Sequence, residues 1–345
     1  MERVRRAEKD DPVIHLISGG GSALAVSPLK GSSGAREKTL LHRLLLESGL
    51  GNHDINVVRK HFSAIKGGRL LLCNPGARHL SLILSDVPGG FPEVVAGGPT
   101  PPDPSTREEC QQILKDSKIS GELPAMIQRR LERREIPETP RPEDPRFQMH
   151  PWAVLASGED LVDTSAALAR RMEYRVHRVS GAIEEPVEQA ADHLLLERDR
   201  MLAKGAGPFC IVAGGEARVR AGGWRGRGGR AQYMAAAAAI RLRGIPGCLL
   251  LAADSDGMHG DSPAAGAVAD GNTHARARRR GLSVSTLRRE GNSFRLFNAL
   301  NDSVVTGPTG NNLRDLYLLL QIPAGRRAFR LTRGDRQGWR GRGRC

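Results

Sequence analysis

Twice in this chain an apolar run of strand length breaks into consecutive glycines, and that pattern limits the folds open to it. Val13-Ile14-His15-Leu16-Ile17 leads into Ser18-Gly19-Gly20-Gly21-Ser22, and Phe209-Cys210-Ile211-Val212-Ala213 leads into Gly214-Gly215-Glu216. Short apolar runs of this kind read as buried strands. Glycines let the backbone turn sharply and leave its amides uncovered. A strand feeding such a turn can aim several N–H groups at a phosphate or carboxylate. The same turn also serves as a plain strand-to-helix link, and residues 18–22 alone do not separate the two roles. The stretch is neither a Walker loop nor a dinucleotide fingerprint, because no Gly-Lys-Ser/Thr follows and the glycines are contiguous.

Strand and helix patterns alternate along the rest of the chain. Residues 80–84, 152–156, 248–253 and 313–320 read as further strands, and residues 35–48, 160–172, 184–203 and 231–241 as helices. Ser105 and Thr106, each followed three residues on by a glutamate, form a capping-box signature. The proline-rich stretch 136–151 reads as a loop or hinge. Alternation of this kind predicts an α/β protein with largely parallel sheets. Within 55–69 the spacing predicts one helix that stops at Gly67-Gly68, with Ile55, Val58, Phe62 and Ile65 inward. Arg59, Ser63 and Lys66 then share a second, positively charged face, for which a solvent-facing stripe is the favoured reading in isolation. Asp86, Glu216 and Asp256 fall at strand ends, where ligands gather in open α/β sheets. For each acid a helix cap or an exposed loop is the alternative role.

Composition narrows the function classes. Hydrophobic residues make up 39% and charged residues 26%, as expected of a globular protein, and a length of 345 residues suggests about two domains. No apolar run approaches the roughly 20 residues of a membrane span. The N-terminus leads into charge rather than a signal-peptide core. The cysteines (Cys73, Cys110, Cys210, Cys248, Cys345) are odd in number and form no CxxC pair, which favours reduced thiols in a cytoplasmic protein. Of the net charge of +14, half lies in residues 324–345, with eight arginines against Asp335. That composition predicts a disordered, solvated tail, dispensable for folding. Gly-Trp-Arg-Gly-Arg occurs at 223–227 and at 338–342; such segments can bind RNA, a reading disfavoured against the enzymatic one.

Seven stretches, in order, resemble the glycerate 2-kinases whose C-terminal half is the MOFRL domain. They are residues 16–24, 55–70, and Leu82-Ile83-Leu84-Ser85-Asp86-Val87-Pro88 with Gly98-Pro99-Thr100. Then come Gly214-Gly215-Glu216, Gly226-Arg227-Gly228-Gly229-Arg230, Asp256-Gly257 with Ala265-Gly266-Ala267, and Thr306-Gly307-Pro308-Thr309-Gly310. The resemblance covers most of residues 13–320. It implies a Rossmann-like α/β/α domain, here 1–206 and N-terminally truncated, and a smaller α/β MOFRL-type domain, 207–320, with the basic tail 321–345 beyond. It also implies an active site between the two domains. The activity implied is transfer of the ATP γ-phosphoryl to the 2-hydroxyl of D-glycerate, giving 2-phosphoglycerate, with Mg2+ as cofactor. Relatives labelled hydroxypyruvate reductases supply the rival reading, although no GxGxxG with a downstream acid is present.

Phosphoryl transfer needs phosphate charge neutralised, a metal on hard oxygens and an oriented hydroxyl. Under the resemblance Arg230, Lys66 and Asp86 are the catalytic candidates. Ser18, Gly19, Gly20, Gly21, Ser22, Arg59 and Thr309 are the substrate- and phosphate-binding ones, and Glu216 and Asp256 the metal ligands. Arg230→Ala is expected to weaken nucleotide binding and spare the fold. His259 stands where the family carries an aspartate and reads as a substitution rather than a ligand. His61 reads as a surface or packing residue. The family's usual segment before the first strand, with its lysine-bearing motif, has no counterpart here, so a weak or inactive kinase is expected. A homodimer is compatible with this class.

Overall fold

The computed structural model describes residues 1–9, 11–29, 34–205, 207–219 and 226–322. The Arg/Gly-rich residues 222–225 and the basic tail 323–345, with the expectations placed on them, lie outside the described residues. By packing, the chain divides into two units. The first is Met1–Asp160 with Asn311–Leu313, and the second is Leu161–Gly310 with Arg314 onward. No helix among the described residues is long and apolar enough to cross a membrane.

The first unit comprises α1 (Glu2–Arg6), β1 (Pro12–Ile17), α2 (Gly21–Leu24), α3 (Ala35–Glu47), α4 (Asn52–His61), β2 (Arg78–Ser85), α5 (Arg107–Asp116), α6 (Ala125–Glu132) and β3 (Trp152–Ser157). Its strands form a parallel sheet in the order β1-β2-β3. Leu41, Leu45, Val58, Leu114 and Ile127 bring α3 to α6 together in one apolar cluster. Thr106 caps α5, accepting from the Glu109 amide at 3.0 Å while the Glu109 carboxylate accepts from the Thr106 amide. A buried ion pair, Lys60 Nζ to Asp103 Oδ1 at 2.6 Å, ties α4 to the loop before α5.

Two expectations fail in this unit. β1 is not a buried strand: Leu16 is 80% and Ile14 60% exposed. They pair in register with Leu82 and Leu80, so they share one sheet face, and an apolar run by itself does not report that both faces are covered. The helix expected over 55–69 ends at His61. Ser63 bridges to Pro28 and takes the Ile65 and Lys66 amides on its hydroxyl, and Gly67 and Gly68 adopt left-handed φ of 58° and 77°. The chain therefore folds inward, and Ser63 and Lys66 are buried rather than solvent-facing. His61 is buried too, with Nδ1 donating to the Val57 carbonyl.

The second unit comprises α7 (Gly158–Arg171, its first residues belonging to the other unit), β4 (Arg175–Arg178), α8 (Val187–Ala203), β5 (Phe209–Gly215), α9 (Arg230–Arg241) and β6 (Cys248–Asp254). It continues through β7 (Gly266–Asp270), α10 (Thr273–Arg279), α11 (Val284–Arg289), α12 (Ser293–Leu300) and β8 (Ser303–Val304) to β9 (Asp315–Gln321). The sheet order is β4-β5-β9-β6-β7-β8. Among neighbouring strands of this sheet in the described residues, only β4 and β5 pair in parallel; β9 is antiparallel to both β5 and β6, and β7 to β6 and β8. The largely parallel sheet expected from the alternation is thus a mixed one here. Residues 255–265 join β6 to β7 with no crossover helix, which permits only antiparallel pairing. Ile211, Leu250, Tyr317 and Leu319 face α8 and α9. Cys210, Val212 and Leu318 face α7, giving an α/β/α arrangement. α7, β4 and α8, placed with the first domain in the sequence reading, pack in this unit because β4 pairs with β5.

Two measurements check this account. Leu16→Ser should change stability by less than about 0.5 kcal/mol, as exposed substitutions do, whereas Ile83→Ala at a fully buried site should cost about 2–5 kcal/mol. Equal costs in denaturant melts would show Leu16 to be covered. The second concerns acid. His15 Nε2 donates to His79 Nδ1 at 2.9 Å, and His79 Nε2 donates to the Asn74 carbonyl. Burial, then repulsion from His79 and His150, pulls His15 down to about 4. A folded value below the unfolded one means that the unfolded chain binds the extra proton, so stability is lost as pH falls from about 6.5 toward 4. Melting temperature should drop over that window, and His15→Gln should flatten the drop; an unchanged slope would exclude His15 as its source.

Candidate functional site

In the first unit the turn after β1 is built around close approaches. Gly20, with φ of 78°, starts α2 in the left-handed region. Gly19 has no such φ, yet a Cβ there would lie 1.8 Å from Asp86 Oδ2. Only a glycine leaves room for the carboxylate at the end of β2 to lie against this turn. The Ser22 carbonyl accepts from Arg59 Nη2 and Lys66 Nζ, both at 2.9 Å. Lys66 also donates to Ser22 Oγ at 2.8 Å and the Ala96 carbonyl at 3.2 Å. Its stem is 1% exposed and passes Gly97, where a Cβ would come within 2.8 Å. Ser18 and Gly20 are exposed.

Beside this turn lies a cavity of about 200 Å³, with Lys38, His42, Arg59 and Lys66 on a floor that includes Leu45 and Phe62. Among the described residues, no carboxylate lines it. Burial, then the charges of Arg59 and Lys38, pulls the Lys66 amine down to about 7. Burial, then Arg59 and Arg69, pulls Lys38 down to about 8. Burial and the same neighbouring cations push His42 down as well. Cations that weaken one another in this way are stabilised by an anion of carboxylate or phosphate type.

In the second unit a charge network joins three elements. Arg230 opens α9; its Nε donates to Asp315 Oδ2 at 2.8 Å, and its Nη2 lies 3.2 Å from Glu216 Oε1. Asp315, the first residue of β9, is fully buried and also accepts from the Tyr317 hydroxyl at 2.9 Å. Burial works against the Arg230 charge, but Asp315 and then Glu216 outweigh it and hold the guanidinium protonated. Asp254 is the ladder partner of Asp315. Burial and the Asp315 charge raise its carboxyl, with the Asp256 amide opposing. His259 Nδ1 lies 3.3 Å from Asp254 Oδ2 and 3.7 Å from Asp315 Oδ1. Asp256 caps its own turn through the Met258 amide, and its carbonyl accepts from the Thr309 amide. The Thr309 hydroxyl donates to the Ser255 carbonyl.

The structure therefore brings Ser22, Arg59, Lys66 and Asp86 to one turn, Arg230 to Glu216, and Asp256 to Thr309. Glu216 and Asp256 are not in the one group of close carboxylate and imidazole ligands found among the described residues, which is Asp254, His259 and Asp315. Lys38, His42, Asp254 and Asp315 were missed by sequence reasoning. Asp254 and Asp315 lie far apart in sequence, and only strand register reveals them as a pair.

Comparisons with known proteins bear on both units. Residues 1–132 match a domain of unknown function, DUF4147, and residues 209–315 match the MOFRL family. A Pyrococcus horikoshii protein named glycerate 2-kinase is 33% identical over 92% of this chain and 72% of its own length. An Agrobacterium vitis protein named for hydroxypyruvate reductase activity is 34% identical over 90% and 70%. The crystal structure of a Thermotoga maritima glycerate kinase superposes with a TM-score of 0.79 at 30% identity, over 93% of this chain and 75% of that one.

The Arg230 network changes one expectation from sequence. Removing Arg230 leaves the buried Asp315 carboxylate without its cation, so Arg230→Ala should cost about 3–5 kcal/mol rather than spare the fold. Adding Asp315→Asn to Arg230→Ala should recover most of the loss. Additive losses in that double-mutant cycle would show the two residues to be uncoupled.

Proposed function

The chain belongs to the glycerate 2-kinase family, and on that premise we propose that it transfers the γ-phosphoryl of ATP to the 2-hydroxyl of D-glycerate. The observation that carries the reading is the meeting of Arg59, Lys66 and Asp86 at the turn holding Gly19 and Ser22. Glycerate is a small anion with a hydroxyl beside its carboxylate. The cations of the first unit suit the carboxylate, with the amides of residues 19–22 and the Ser18 and Ser22 hydroxyls as further donors. Asp86 is the carboxylate suited to take the hydroxyl proton. As that oxygen bonds to the γ-phosphorus, the bond from phosphorus to the ADP oxygen breaks and the electron pair leaves with ADP.

In the second unit Arg230, whose charge Asp315 and Glu216 already balance, would meet phosphate only alongside a bound metal, and Thr309 fixes the adjoining loop. A nucleotide-bound Mg2+ needs only one or two protein carboxylates. The Glu216 side chain is 39% exposed while it meets Arg230, and Asp256 uses one oxygen for its own turn, so each has capacity left to hold one. The metal would supply charge neutralisation on the phosphates.

A coupled assay on the chain with ATP, Mg2+ and D-glycerate tests the reading: glycerate-dependent ADP release is expected, at the low turnover that the sequence reading anticipates. NADH-dependent reduction of hydroxypyruvate without ATP turnover would overturn it. Gly19→Ala should push the Asp86 carboxylate aside and reduce turnover on the order of a hundredfold, with the melting temperature nearly unchanged. Full activity in that variant would remove Asp86 from the chemistry.

A further inference from the structure

We propose that Asp254, His259 and Asp315 form a binding site for a divalent first-row transition cation of the Mn2+, Co2+ and Zn2+ class. Asp254 and Asp315 face each other across the β6–β9 ladder, and like charges directly opposite on neighbouring strands repel. Glu216 adds a third acid within reach of the same Arg230. Among the described residues, one guanidinium against three carboxylates leaves negative charge in a place where Asp315 has no access to water.

His259 fits this demand. Its side chain is 11% exposed, and its Nδ1 is screened from solvent without an aligned hydrogen-bond partner among the described residues. The nitrogen faces both carboxylates, and all three ligand atoms lie within 4.8 Å of one another. Ligands about 2.0–2.2 Å from a common metal lie roughly 3–3.5 Å apart, close to the 3.3 and 3.7 Å found here. Gly229 leaves room for the ring, since a Cβ there would meet His259 Cδ2 at 2.6 Å. Three protein ligands leave open positions for water or a ligand oxygen. An imidazole beside two carboxylates favours a first-row transition cation over Mg2+, which prefers oxygen alone.

The alternative is an imidazolium that bridges the two carboxylates with no metal. Titration of the chelator-stripped full chain with Co2+, followed by its visible absorption, separates the two and is independent of kinase activity. One equivalent should bind, Zn2+ should displace it, and Mg2+ should compete poorly. His259→Gln, which keeps much of the side-chain volume, and Gly229→Ala should each weaken Co2+ at least tenfold. His259→Asp should let Mg2+ compete at least tenfold better. No Co2+ binding, or a Co2+ spectrum and affinity unchanged in His259→Gln, would overturn the proposal.

Discussion

A carboxylate with no access to water sets the terms for the second unit. Asp315 begins the strand that pairs with both β5 and β6, so its position is fixed by two ladders at once. Burying an anion is tolerated only with a partner of opposite charge and further hydrogen bonds. Arg230 and the Tyr317 hydroxyl provide them. Arg230 is also the first residue of α9, so satisfying Asp315 fixes where that helix starts. The alanine-rich body of α9 is then buried along its length, with small side chains at the contact between helix and sheet.

The first unit faces the opposite problem, and two of its buried lysines, Lys60 and Lys66, solve it differently. Lys60 has a carboxylate, Asp103, which is further satisfied by the Ser105 amide and hydroxyl. That pair is neutral and self-contained, as expected of a structural contact. Lys66, six residues on, has among the described residues only neutral oxygens from Ser22 and Ala96, with Arg59 and Lys38 nearby. Hydrogen bonds satisfy its donors but do not cancel its charge. The cavity beside it is therefore poised for an anion in a way that the surroundings of Lys60 are not.

Much of this was legible from sequence because local patterns act locally. The strands at 80–84, 209–213 and 248–253, the Thr106 cap and the helix over 231–241 follow from apolar runs and capping chemistry that need no distant partner. Strand direction was not legible, since pairing of β9 between β5 and β6 depends on contacts that alternation does not encode. The helix over 55–69 was over-read because the spacing of Phe62 and Ile65 continues past His61. What breaks the pattern after His61, ahead of the stop expected at Gly67-Gly68, is the Ser63 hydroxyl taking the Ile65 and Lys66 amides. The buried acids were illegible for the same reason as β9: Asp254 and Asp315 are partners only through register.

The seven weak motifs gain their force from being halves of contacts. Gly19 leaves room for Asp86, and Ser22 accepts from Arg59 and Lys66, which links the first three. Arg230 meets Glu216, and Gly229 leaves room for His259. A Cβ on Gly257 would meet the Gly307 carbonyl at 2.0 Å, which links the last two. Gly19 and Gly229 have ordinary φ, so what excludes a side chain there is the neighbour rather than the backbone. A glycine kept for that reason is informative only together with the residue that fills its space. Each motif read alone is therefore ambiguous, while the ordered set within each unit describes a single packing arrangement.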